Sequence, residues 1–89
     1  MNPNVMNTKE ILEQLTEIFH QIFDDESIVL TPEKTAADIA DWDSFNHINI
    51  IVAVEEHFGI KFQTAETEEL KNVGHLIELI QQKLEAEKR

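Results

Sequence analysis

The sequence points to an all-α fold: a four-helix bundle of three longer helices and one short one, with a long loop between helices 1 and 2. Three observations support it. Apolar residues recur at helical spacing in separate segments of the chain. Only two glycines and two prolines punctuate its 89 residues, too few turn formers for a many-stranded β fold. Hydrophobic residues make up 42% of the chain, which argues against disorder and suits one domain burying roughly 60% of its unfolded surface. Residues 1–89 are expected to form that single domain, with about 8–84 as its ordered core.

The first helix is expected over residues 8–23. Asn7 can cap it with Glu10 three residues on, and Met6 and Ile11 have the spacing of a hydrophobic staple. Ile11, Leu12, Leu15, Ile18, Phe19, Ile22 and Phe23 then recur at i, i+3 and i+4, with Glu10, Glu13, Gln14 and Glu17 opposite. Asp24-Asp25-Glu26 ends it, because three acids are unfavourable at the negative end of a helix. From Asp24 to Trp42 no period is sustained over nineteen residues, a length at which an irregular connection is often functional. Thr31-Pro32-Glu33 can open a short turn, while Ile28, Val29, Leu30, Ile39 and Trp42 are its expected anchors.

Residues 44–58 carry β-branched Ile48, Ile50, Ile51, Val52 and Val54, which a propensity reading could take as a strand. Length and the stop at Gly59 favour a helix. Such a helix has two apolar faces. Ile50, Ile51, Val54 and Phe58 would meet the first helix; Phe45, Ile48 and Val52 form a second stripe flanked by Asn49, Glu55 and Glu56. In so small a domain one of the two must face solvent, a ligand or a partner. Ile60 and Phe62 anchor the next connection, and Thr64 can cap a brief acidic turn through Glu66, Glu68 and Glu69. Asn72 caps the last helix, with Val73, Leu76, Ile77, Ile80 and Leu84 as its buried stripe and Glu85 to Arg89 as a solvated tail.

Composition removes several function classes. Eighteen acids against seven bases give a formal net charge of −11, a surface that nucleic acid repels and that basic docking patches attract. There is no cysteine, hence no disulfide framework and no thiol nucleophile. No apolar run approaches the ~18 residues of a membrane span, and no signal pattern opens the chain. A cytoplasmic monomer is the expectation.

The functional question centres on Asp41-Trp42-Asp43-Ser44-Phe45. Ser44 falls at the first turn of a helix, where unpaired N–H groups and the helix dipole welcome an anion. The residues leave three readings open: a plain capping residue, perhaps with Asp43 taking that role; a point of covalent attachment; or a nucleophile with His47 one turn away. The last lacks an orienting third group, an oxyanion site and a Gly-x-Ser-x-Gly elbow. His20, His47, His57 and His75 share no metal-ligand spacing. Asp24 to Thr35 has the length of a calcium loop without its glycine or its final acid. Asp38, Asp41 and Asp43 read as a solvated acidic edge before they read as a weak cation site. Trp42 reads as a loop anchor.

At these residues the chain resembles the acyl carrier proteins, freestanding members of the phosphopantetheine-dependent carrier family. The resemblance runs from about Thr8 to Leu84. It rests on Asp43-Ser44-Phe45 opening the second helix, Glu55-Glu56-His57-Phe58-Gly59-Ile60 closing it, and Asn72-Val73-Gly74 before the last. It implies a 4′-phosphopantetheine arm on Ser44, added from coenzyme A by a phosphopantetheinyl transferase and carrying acyl groups as thioesters. It implies no catalysis by the chain. Partners would be acyl-processing enzymes of fatty-acid, polyketide or related specialised synthesis, docking through Asp43, Phe45, Ile48, Val52, Glu55 and Glu56. It would place Val54, Phe62, Leu76 and Ile77 near a cavity for cargo. Leucine usually follows the serine in this family, and acids are common early in the second helix. Phe45, Asn46, His47 and Asn49 stand there instead, which argues against the housekeeping fatty-acid carrier and leaves room for a specialised pathway. An aminoacyl or peptidyl carrier, or an acidic interaction module without a prosthetic group, are the alternatives.

Overall fold

A computed structural model describes residues 7–39 and 42–87. Its order is α1 (Thr8–Phe23), α2 (Ser44–Phe58), α3 (Thr64–Glu68) and α4 (Val73–Glu87). Regular structure among the described residues is helical throughout, as the periodicity implied.

Helix α1 starts on a reciprocal cap. The Glu10 N–H donates to Asn7 Oδ1 at 2.8 Å and the Asn7 N–H to Glu10 Oε1 at 3.1 Å, which satisfies two donors the helix leaves without partners. Met6, the other half of the expected staple, lies outside the described residues. The helix ends at Asp24, whose φ of 51° and ψ of 46° are left-handed. An aspartate tolerates that region better than most residues. Asp25 N–H closes the turn on the His20 carbonyl at 3.1 Å. Ile11, Leu15, Ile18 and Phe19 are buried at the i, i+4, i+7 and i+8 positions of one stripe. Helix α1 packs against both α2 and α4.

Helix α2 shows why β-branched content did not make a strand. Asp43 caps its start, and Gly59, at a φ of 70°, closes its end with its N–H on Glu55 O. Between them Ile50 and Val54 sit in the core with no exposed surface. Burial against α1 outweighs the small helix penalty of β-branching.

The connection from α1 to α2 is built rather than loose. Lys34 N–H donates to Thr31 O at 3.1 Å across the expected Pro32 turn, and Asp38 N–H to Thr35 O at 2.9 Å forms a second turn. The Asp38 carboxylate takes the Thr35 N–H at 3.0 Å. The loop then completes α4: Val73 N–H donates to Lys34 O at 2.9 Å and Gly74 N–H to Pro32 O at 2.8 Å. With Asn72 Oδ1 accepting from His75 N–H at 2.8 Å, three of the donors that a helix start leaves free are met, two of them by the loop. Leu30 and Ile39 are buried and Ile28 and Trp42 pack against the core. Val29, expected among these anchors, is instead 69% exposed. Alternate residues of an extended stretch face opposite ways, so Ile28 and Leu30 turn inward at its expense.

Two further expectations shift. Gln63, not Thr64, occupies the cap position of α3, where its N–H donates to Glu66 Oε1 at 2.8 Å. Helix α4 continues to Glu87 instead of fraying after Leu84, and Leu79 joins its buried residues. Lys83 pairs with Glu66 at 2.9 Å and so ties α3 to α4. The Gln63 N–H first, and then Lys83, hold the Glu66 carboxyl below the ordinary carboxylate range. The stability this adds is present above that range and fades as pH falls through the lowered value.

Candidate functional site

The site begins with the division of labour between Asp43 and Ser44. Asp43 is the N-cap: its carboxylate accepts from Asn46 N–H at 2.9 Å, and its carbonyl accepts from His47 N–H at 2.8 Å. Ser44 is therefore the first helical residue and is not needed as a cap. Its side chain is exposed, and among the described residues its hydroxyl has no hydrogen-bond partner. The N–H groups of Ser44 and Phe45 are likewise not taken up by any described residue. Asp43 already offsets part of the helix dipole, so these two donors carry most of the site's attraction for an anion.

Ser44 borders a cleft of about 620 Å³ between the start of α2 and α3. His47 and Ile48 continue its α2 wall; Thr67, Leu70 and Leu76 form the other side. His47 is not a base for the serine. Its Nδ1 accepts from the Trp42 indole N–H at 3.2 Å, and its Nε2–H donates to Thr67 O at 3.2 Å. Both ring nitrogens are thus engaged with partners other than Ser44. Trp42 also packs edge-on against Phe19, with ring centroids 5.2 Å apart, so it anchors the loop as expected.

Beside the serine the second face of α2 stands open. Phe45 is 72%, Ile48 62% and Val52 46% exposed, three residues on successive turns that the bundle does not cover. Glu56 is exposed next to them. Glu55 is half-buried, and its carboxylate accepts from Phe62 N–H at 2.8 Å. One of its oxygens is thus committed to the α2–α3 connection.

Comparison with known proteins decides the family. No family model matches the chain. It is 33% identical over 75 residues to the acyl carrier protein of Acidothermus cellulolyticus, covering 84% of this chain and 89% of that one. The acyl carrier protein of Thermobifida fusca is 37% identical over 73 residues, covering 82% and 92%. The chain belongs to the acyl carrier protein family. Carriage of acyl groups is therefore its function. The meromycolate extension acyl carrier protein of Mycolicibacterium aurum is 35% identical over 79 residues, covering 89% of this chain and 80% of that one. Among solved structures, a holo acyl carrier protein from Geobacter metallireducens is 52% identical, covers 86% of this chain and 88% of that one, and superposes with a TM-score of 0.81.

Of the residues that the acyl-carrier resemblance placed near a cargo cavity, only Leu76 lines the cleft beside Ser44. Val54 and Ile77 lie in the core at 0% and 1% exposure, and Phe62 is half-buried elsewhere. The cleft stops where Leu76 meets that packed interior. The Asp38 carboxylate accepts from Thr35 N–H and that of Asp43 from Asn46 N–H; Asp41 lies outside the described residues. Among the described residues no helix is long and apolar enough to cross a membrane. Sequence reasoning missed the bridge from Trp42 through His47 to Thr67. Its members lie on a loop and two helices, and no periodic signal links them.

Proposed function

We propose that Ser44 is the attachment point for 4′-phosphopantetheine and that the exposed face starting at Phe45 is where partner enzymes dock. The observation that carries this reading is the free Ser44 hydroxyl: Asp43 does the capping, so Ser44 is exposed at the mouth of a cleft with two open N–H donors beside it. A phosphodiester fits there, since backbone donors at a helix start suit an anion. In the transfer, a bond forms between Ser44 Oγ and the phosphorus next to pantetheine, the pyrophosphate bond of coenzyme A breaks, and the adenosine bisphosphate leaves. The hydroxyl proton goes to the transferase. Bound there, the arm would supply the thiol that holds an acyl group as a thioester.

The chain itself catalyses nothing in this reading, because the one histidine near the serine has both nitrogens engaged. Phe45, Ile48 and Val52 would supply the apolar contact with partners, and Glu56, the outward oxygen of Glu55 and Asp43 the charge. A net charge of −11 speeds encounter with enzymes that carry basic patches, in the cytoplasm where such pathways run. Incubation with coenzyme A and a phosphopantetheinyl transferase should add the mass of one arm to the intact protein. Ser44→Ala should abolish the addition. An arm on the alanine variant, or none on the parent with several transferases, would overturn the assignment.

A further inference from the structure

We propose that His47 is a clasp that sets the width of the cleft beside Ser44 and thereby selects the cargo it admits, an inference that rests on the carrier reading of Ser44. Helix α3 has five residues and none of them is buried. A helix that short does not hold itself, so its place over the cleft depends on a few contacts. The Lys83–Glu66 pair holds its outer side. On the cleft side, among the described residues, His47 supplies the side-chain bond, from Nε2–H to Thr67 O. The same ring is fixed from behind by Trp42, whose rings lie within 23° of the imidazole plane and whose indole N–H points at Nδ1.

The chemistry of the partners dictates the protonation state. An indole N–H only donates and a backbone carbonyl only accepts. The bridge therefore requires a neutral imidazole with its proton on Nε2. A proton on Nδ1 in place of Nε2 would set two donors against each other and break the contact with Trp42. The charged groups that line the same cleft are Asp43 at the start of α2, Glu68 of α3 and Lys71 just beyond it. With both bonds made the clasp holds α3 towards α2, and an acyl group on an arm at Ser44 enters only as far as Thr67, Leu70 and Leu76 permit. Released, α3 swings outward and the cleft takes longer or bulkier groups.

Trp42 is the sole tryptophan and the chain has no tyrosine, so one indole N–H resonance and one emission report the clasp in the unmodified protein. In the parent, nitrogen-15 shifts of the imidazole should show Nδ1 bare and the proton on Nε2, the arrangement that the two partners require. His47→Gln offers an acceptor and a donor on one amide; it should hold the indole signal at the parent's position. His47→Leu should move the indole resonance and the emission away from the parent's positions. Acyl groups of increasing length are then loaded and their thioesters cleaved with hydroxylamine. The leucine variant should protect the longest groups severalfold better than the parent, and the glutamine variant should match the parent.

An indole signal that is the same in parent and leucine variant overturns the clasp; so does a parent imidazole that carries its proton on Nδ1, even if the leucine variant fails to fold. A clasp that responds as expected, with equal cleavage rates in all three proteins at every chain length, overturns its role in selection. Failure of any arm to attach at Ser44 overturns the carrier reading and the selectivity with it, while the indole signal still decides the bridge.

Discussion

Gly74 shows how much one hydrogen atom in place of a side chain can matter. Its backbone N–H lies on the Pro32 carbonyl, and a Cβ there would meet Pro32 O at 3.1 Å and Pro32 Cβ at 3.3 Å. The position is helical, so alanine would gain about 1 kcal/mol of helix propensity. Pro32 sits in a hydrogen-bonded turn that resists yielding, and overpacking costs about 1–3 kcal/mol. Gly74→Ala should therefore lower stability by about 1 kcal/mol net, read as a lower denaturation midpoint. A higher midpoint would mean that the loop moves aside freely. The motif Asn72-Val73-Gly74 thus has a physical basis in this chain: a cap, a buried valine and a close approach. At Ser44 the corresponding point is the neighbour. Asp43 takes the cap, and the serine is left with an exposed hydroxyl.

Helix α2 divides two tasks between residues only two positions apart. Ile50 has no exposed surface, whereas Ile48 is 62% exposed. Ile50→Ala should destabilise by about 2–5 kcal/mol, the range for emptying a packed aliphatic site. Ile48→Ala should change stability by no more than about 0.5 kcal/mol. It should instead lower kcat/KM for arm transfer on the order of fivefold, as loss of a central apolar contact does at an interface. Equal effects of both substitutions on stability would contradict the two-faced description. Unchanged transfer with Ile48→Ala would remove the stripe from the proposed docking surface. The connection between α1 and α2 behaves as an element in its own right: its Pro32 and Lys34 carbonyls serve as caps for α4, which binds it more firmly than its composition suggests.

Across the whole molecule the net charge of −11 acts in two opposing ways. Like charges at the surface repel one another in the folded state, and partners with basic patches are drawn from a distance. Both effects are screened beyond about 10 Å at 0.1 M salt and beyond about 3 Å at 1 M. Raising salt across that range should therefore raise the denaturation midpoint while slowing association with the transferase, on the order of tenfold or more. A midpoint that falls with salt would mean that favourable pairs such as Lys83–Glu66 outweigh the general repulsion.

The helices were readable from residues alone because their signals are local. The Asn7–Glu10 cap, the stop at Gly59, the Asn72 cap and the apolar stripes each act within one or two turns, where the spacing of side chains is set by the helix itself. The surplus stripe of Phe45, Ile48 and Val52 was readable for the same reason: a wheel shows two apolar faces, and a small bundle can cover only one. What depended on the folded chain joins residues remote in sequence. Pro32 and Lys34 meet Val73 and Gly74, Glu55 turns to the Phe62 N–H, Val29 yields the interior to its neighbours, and His47 bridges Trp42 and Thr67. No period encodes these pairings. A polar group takes whichever partner packing brings within about 3 Å, and that is settled when helices and loops come together.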